Sequence, residues 1–198
     1  MKIQRSHELD AREHFGLLCN VRGLMFGAAV EIGTDRGAFA AAFLRCWRGP
    51  QLYCVDPWEP YLEMTSPRQA DYLMTVTLLA PYADRVRILC MPSLKAAKRH
   101  LGGAVVFVYI DGLHTTKAVG DDCLAWWPRL VANGILAGHD IQKPRVREAV
   151  ELFAGHVGRT VWTTGARTGS PSWYIYRDQA TEPFGFEVSG WLGRAQLI

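Results

Sequence analysis

Short runs that are apolar at most or all positions alternate along this chain with longer runs whose apolar residues recur every three or four positions. Ala28 to Ile32, Leu52 to Val55, Val86 to Cys90, Val105 to Ile110 and Ile135 to Ala137 are of the first kind. Continuous apolar runs of that length predict strands buried on both faces, as in a parallel sheet. Between them, Gly37 to Arg48 carries an apolar stripe at Phe39, Phe43 and Trp47 and ends at Gly49-Pro50, which predicts a helix. Further helices are predicted over 67–80, over Ser93 to His100 with Ser93 as its cap, over Thr116 to Val131 with a break near Pro128, and over Val146 to Phe153. Asn133-Gly134 reads as a turn. Thr160 to Thr164 and Trp173 to Tyr176 read as two more strands joined by a loop over 165–171.

This alternation predicts an α/β fold, a doubly wound, mostly parallel Rossmann-like sheet with an antiparallel strand near the C-terminus. The expected organisation is a single domain over 1–198, with an N-terminal helical cap at 1–26, a core at 27–177 and a tail at 178–198. Leu9, Phe15, Leu18, Val21 and Leu24 give the cap its helical spacing, and it reads either as a cover for one sheet edge or as a lid over the site. The tail mixes polar and aromatic residues and is left unassigned.

Composition adds exclusions. A chain of 198 residues with 49% hydrophobic and 21% charged residues is long enough for a full core. A formal charge of +3 gives no general attraction to nucleic acid. Five cysteines, at 19, 46, 54, 90 and 123, are odd in number and never spaced Cys-x-x-Cys, so reduced thiols in a cytoplasmic protein are expected. Cys46, Cys54 and Cys90 lie in apolar runs and are expected to pack as small hydrophobes. The first ten residues lack the apolar segment of a signal peptide, and Ala104 to Ile110 is far short of the roughly 20 residues that span a bilayer. A small-molecule substrate, no nucleic acid and no membrane follow as expectations, with a homo-oligomer left open.

The chemistry gathers where the strands end, which is where open α/β sheets bind ligands. Those ends carry Glu31, Gly33 and Gly37; Asp56; Ser93; Asp111 and His114; and His139 and Asp140. The first turn, Glu31-Ile32-Gly33-Thr34-Asp35-Arg36-Gly37, lacks the close glycine pair that cradles a pyrophosphate, which counts against a nicotinamide-dependent oxidoreductase. Asp56 lies 23 positions after Gly33, the distance at which a strand–helix–strand unit returns to the same sheet edge. Lys95, Lys98, Arg99 and His100 complement a helix carboxyl end. Lys143, Arg145 and Arg147, just past Asp140, read either as a greeting for an anionic substrate or as a solvated helix start.

Val30 to Gly37 resembles the first motif of class I S-adenosylmethionine-dependent methyltransferases. Tyr109-Ile110-Asp111-Gly112-Leu113-His114, Asp121-Asp122 and Gly134 to Asp140 resemble a small bacterial subgroup. That subgroup is related to macrocin-type sugar O-methyltransferases and cephalosporin hydroxylase-like proteins, and the resemblance covers roughly residues 27 to 145. It implies S-adenosylmethionine as cofactor and an O-methyltransferase acting on a hydroxyl of a sugar or secondary metabolite. Gly33, Thr34 and Gly37 would then flank the methionine portion, with Glu31 near its ammonium and Asp56 on the ribose hydroxyls. Trp58 would either stack on adenine or pack a surface loop, and Ser93 would either reach adenine or cap its helix. Asp111 would face the transferred methyl beside the cofactor. In the related sugar enzymes, acidic residues at positions matching Asp111, His139 and Asp140 hold magnesium. Here His139 replaces a carboxylate, so it is either a ligand or a general base, with His114 as a second candidate base. A non-catalytic cofactor-binding module remains the other alternative.

Overall fold

The computed structural model describes residues 3–5, 9, 11–60, 68–99, 101–165 and 170–177. His100, the tail 178–198 and the middle of the 165–171 loop lie outside the described residues. Eight described strands form one sheet: β1 (Ile3–Arg5), β2 (Ala28–Ile32), β3 (Gln51–Asp56), β4 (Val86–Cys90), β5 (Val105–Ile110), β6 (Leu130–Gly138), β7 (Val161–Thr163) and β8 (Trp173–Tyr176). The order is β1-β7-β8-β6-β5-β2-β3-β4. All pairings are parallel except those of β8, which runs antiparallel to β6 and β7. Six α-helices accompany it: α1 (Phe15–Val21), α2 (Ala38–Cys46), α3 (Gln69–Leu79), α4 (Ser93–Ala96), α5 (Thr116–Trp126) and α6 (Pro144–Val157).

The period-2 geometry of β5 explains why its six residues are all buried. Val108 and Ile110 point to a core shared with α5 and α6. Phe107 and Tyr109 point to a second core shared with α1 and α2. Phe15 plugs the second core, its ring 5.5 Å from Phe107, 5.7 Å from Tyr109 and 5.8 Å from Tyr174. The N-terminal segment is therefore a cover on the sheet face. It is shorter than the expected helix: a 3-10 turn at Arg12–His14 leads into α1, which stops ahead of Gly23 at φ 72°.

Several expectations need correction. The Asn133-Gly134 pair does not end an element; it lies inside β6, with Asn133 at φ 62°. Register jumps there, from Val105 opposite Leu130 to Phe107 opposite Ile135, so the pair forms a bulge that keeps both halves on one sheet. Ser93 is not a cap: Pro92 holds that position, and the Ser93 hydroxyl instead accepts from Trp126 Nε1 at 2.9 Å. Thr115 caps α5, its Oγ1 accepting from Ala118 N at 3.1 Å. β1, in a stretch that reads as polar, adds a parallel edge to β7. Cys54 is buried as expected, Cys46 is half-buried, and Cys90 is exposed at the end of edge strand β4. No helix among the described residues is long and apolar enough to cross a membrane.

Candidate active site

After β2 the chain builds outward through β3 and β4, then returns to add β5 and β6 on the other side. The carboxyl ends of β2 and β5 therefore flank the switch point where such sheets bind ligands. A cavity of about 570 Å³ opens there, within the size range of small-molecule sites. Of the residues singled out from the sequence, Gly33, Asp56, Ser93, Asp111 and His114 line it.

Gly33, at φ 80°, is fixed by contact as well as conformation, since a Cβ there would stand 2.2 Å from the Asp111 carbonyl oxygen. Its N–H donates to Val55 O at 2.8 Å, and Asp111 N donates to Ile32 O at 2.8 Å, so the turn is pinned between β3 and β5. Gly37, also at φ 80°, opens α2. Beneath the turn, Glu31 Oε2 and Thr34 Oγ1 are buried without a hydrogen-bond partner. Burial pushes the Glu31 carboxyl well above the usual carboxylate range, with the nearby Asp111 charge adding to it.

Asp56, at the end of β3, is 3% exposed and heavily bonded. Its Oδ1 accepts from Trp58 N at 2.7 Å and Arg68 Nη1 at 3.1 Å, and its Oδ2 accepts from Asp35 N at 3.0 Å. Arg68, missed from the sequence, is itself buried; it reaches Asp35 Oδ1 at 2.6 Å and Asp71 Oδ2 at 3.4 Å as well. Trp58 takes a left-handed φ of 48° and does not line the cavity. Its Nε1 donates to Asp35 O at 2.8 Å and its ring meets Tyr72 edge-on at 5.3 Å. At the opposite wall, Ser93 lies against Asp122, a cavity carboxyl that the motif comparison did not assign a role. Burial raises Asp122 to about 7; the Ser93 hydroxyl opposes that rise and Asp121 adds to it.

Four side chains meet at the ends of β5 and β6. His139 Nδ1 is 3.6 Å from Asp111 Oδ1 and 3.2 Å from Asp140 Oδ1. His114 Nε2 is 3.0 Å from Asp140 Oδ2 and 3.7 Å from Asp111 Oδ1. Burial alone would raise Asp111, but hydrogen bonding with His114 and His139 outweighs it and holds the carboxyl below its ordinary value. Burial is likewise outweighed at Asp140, which Lys143 and Gln142 bring down to about 2. His114 is raised, chiefly by its hydrogen bond with Asp111. Asp140 takes a left-handed φ of 57°, which is how its carboxylate turns back toward the cluster. His139 and Asp140 stand just behind the cavity wall. Lys143 Nζ lies 2.7 Å from Asp140 Oδ2, whereas Arg145 and Arg147 are exposed on α6, Arg147 pairing with Glu151 at 3.8 Å. From the N-terminal segment, Arg12 Nη1 comes within 3.7 Å of Asp111 Oδ2.

No curated protein matches the chain by sequence. Solved structures share its fold. The O-methyltransferase TomG from Streptomyces achromogenes, solved with SAM, superposes with a TM-score of 0.63 at 15% identity over 84% of this chain and 79% of that one. An O-methyltransferase from Bacillus cereus, solved with SAH, gives 0.60 at 15% identity over 83% and 80%. An rRNA methylase from Streptococcus thermophilus gives 0.58 at 10% identity over 78% and 89%, so the shared fold by itself does not select the methyl acceptor. The sequence model of the methyltransferase domain family matches residues 30–141, a stretch that runs from β2 through Asp140 and holds Glu31, Gly33, Asp56, Ser93, Asp111, His114, Asp122, His139 and Asp140. More than half of its length matched, the chain belongs to the methyltransferase domain family.

Proposed function

We propose that this protein transfers a methyl group from S-adenosylmethionine to a hydroxyl of a small molecule, a sugar or a secondary metabolite. The observation that carries the reading is the pairing of two half-sites across one crevice. One is the turn with Glu31 and Asp56. The other is the cluster of Asp111, His114, His139 and Asp140.

The first half-site fits the cofactor. Glu31 Oε2 and Thr34 Oγ1, buried and unpartnered, suit the polar methionine end. Asp56 Oδ1 already has two donors, but Oδ2 has only one, which leaves an acceptor position for a ribose hydroxyl. Pro92, Leu94 and Leu113 offer apolar surface to the adenine ring. When bound, S-adenosylmethionine supplies a methyl already activated on a sulfonium sulfur. The chain's own residues then have to align a nucleophile and take one proton.

Asp111 orients the acceptor hydroxyl, and His114, which lines the cavity, takes its proton. Asp140 Oδ2 beside Nε2 favours the proton there in the resting imidazole, so Nδ1 is the basic atom. This puts His114 ahead of His139 as base. Asp111-Gly112-Leu113-His114 stands where amine methylases of nucleic acids carry Asn/Asp-Pro-Pro-aromatic, which supports an oxygen nucleophile. A magnesium ion at Asp111, His139 and Asp140, which the resemblance implies, does not fit this set, because magnesium takes oxygen ligands and His139 offers an imidazole nitrogen. Calorimetry of the purified protein should show S-adenosylhomocysteine binding, weakened at least about tenfold in Asp56→Ala; no binding by the unmodified protein sinks the proposal.

A further inference from the structure

Ser93 and Asp122 meet at the far wall of the cavity, and the chemistry of their partners fixes which way each hydrogen points. The indole N–H of Trp126 can only donate, so the Ser93 hydroxyl accepts it, at 2.9 Å. The one hydrogen of that hydroxyl is turned to the Asp122 carboxyl. Ser93, which the resemblance offers as an adenine contact, therefore has no hydrogen left to give a ligand. The Ser93 hydrogen also marks one Asp122 oxygen as the acceptor, which places the acid's own proton on the other.

Asp122 is a costly residue for this position. It is 7% exposed on the inner face of α5, near Val119 and Cys123, which are also buried. Trp126 and Ser93 already tie α5 to α4 without a carboxyl, so that tie does not account for it. Burial keeps its proton on to about 7; Asp121, which pairs with Lys117 Nζ at 2.6 Å, adds to the effect. At about pH 6 the group is a neutral acid, with one oxygen to accept and one hydrogen to give.

A second observation says what that pair faces. Leu94 follows Ser93 and Leu113 follows Gly112, and both leucines line the same cavity while 42% and 41% exposed. A Cβ at Gly112 would come 4.0 Å from Asp122 Oδ2, so the carboxyl lies near that loop. Two large apolar side chains left open beside a buried acid suit a flat ring with a polar edge. Asp56 is paired in register with Cys90, three residues before Ser93, so a base on a ribose held at Asp56 extends toward this wall.

We infer that Asp122 reads the edge of the cofactor's adenine: one carboxyl oxygen accepts from the 6-amino group and the other gives its hydrogen to ring N1. A 6-oxo purine presents an acceptor and a donor in the reverse order, so Asp122 selects against it. The inference deepens the methyl-transfer reading and rests on it for the nucleoside.

The test is calorimetry of the full chain at about pH 6, where the acid is neutral, with S-adenosylhomocysteine and its deaminated analogue S-inosylhomocysteine. The unmodified protein should bind the adenine compound about 100-fold tighter. Asp122→Asn offers the same acceptor and donor side by side and should keep most of that preference. Asp122→Leu offers neither and should bring the two compounds within about threefold of each other. A carboxyl that only tied α4 to α5 would, when replaced, weaken both compounds alike and leave their ratio unmoved. Infrared difference spectra give a readout that does not depend on Asp122→Leu folding. The carboxylic C=O band that Asp122→Asn removes should shift when S-adenosylhomocysteine binds the unmodified protein. Equal affinity of the unmodified protein for both compounds overturns this inference and leaves the methyl-transfer reading standing. An unmoved carboxyl band, or a preference undiminished in Asp122→Leu, does the same. Binding of neither compound removes the methyl-transfer reading and this inference with it.

Discussion

At Gly33 two constraints coincide: a left-handed φ of 80° and a backbone carbonyl, that of Asp111, 2.2 Å from where a Cβ would stand. Neither the β2 end nor the β5 end can yield without breaking the hydrogen bonds that pin the turn. Gly33→Ala should therefore cost about 3 kcal/mol or more, read as a lowered urea midpoint. Gly37→Ala meets no backbone so closely, its tightest contact being Thr75 Cγ2 at 3.3 Å, and should cost less. A second residue-scale consequence follows from Asp122, raised by burial from an ordinary 3.8 to about 7. Its folded form holds a proton that the unfolded chain releases, so its stabilisation is complete below about pH 4. The stabilisation is lost as pH rises toward 7, by about 4 kcal/mol in all, and is flat beyond that. Asp122→Asn removes the titrating group. The difference in unfolding free energy between the two proteins should fall steeply from pH 4 to 7; a constant difference would refute the assignment.

Among the elements, α3 owes its position to Arg68, the residue before its first turn. That guanidinium is 5% exposed and spans Asp35 in the glycine turn, Asp56 at the end of β3 and Asp71 in α3 itself. Arg68→Met leaves Asp56 buried without its cation and should destabilise by about 3–5 kcal/mol, seen in chemical denaturation. Arg68→Lys should restore only part of that, because one ammonium cannot fork across three carboxylates. Nothing local in the sequence announced Arg68: Asp71 lies three positions on, but the two partners that seat it at the site, Asp56 and Asp35, lie 12 and 33 positions away, and residue-by-residue pattern does not encode such pairings. β1 was hidden for the same reason, a three-residue strand whose partner begins at Val161. β6 was misread differently. Asn133-Gly134 adopts turn-like backbone, but inside a strand whose neighbours hold it on both sides. In contrast, β2, β5 and β8 were legible to the residue, because short apolar runs buried in the sheet leave no other reading, and β4 was legible from its β-branched and apolar run despite its place at the sheet edge. The gathering of Asp111, His114, His139 and Asp140 was legible too, since ionisable residues at successive strand ends must share one edge. Which histidine faces the cavity was not, because that depends on the left-handed turn at Asp140.

Across the whole molecule, the crevice joins parts of the chain that are far apart in sequence and come from both sides of the switch point. Gly33 follows β2, Asp56 ends β3, Ser93 opens α4, Asp111 follows β5 and Asp122 lies in α5. A ligand seated there bridges both directions in which the sheet was wound, so its binding energy should appear as global stability and not as local ordering. S-adenosylhomocysteine at about 100 times its Kd should add about 2.7 kcal/mol. For a chain of this length that corresponds to a rise of about 5 to 10 °C in Tm. Asp56→Ala should start from its own lower Tm and respond far less at the same concentration, while His114→Ala should respond fully and lose turnover. NAD at equal concentration should shift neither protein. An unmoved Tm under saturating S-adenosylhomocysteine, or an equal shift with NAD, would mean that the crevice is not built around that nucleoside and that the roles proposed for Asp56 and the glycine turn fail.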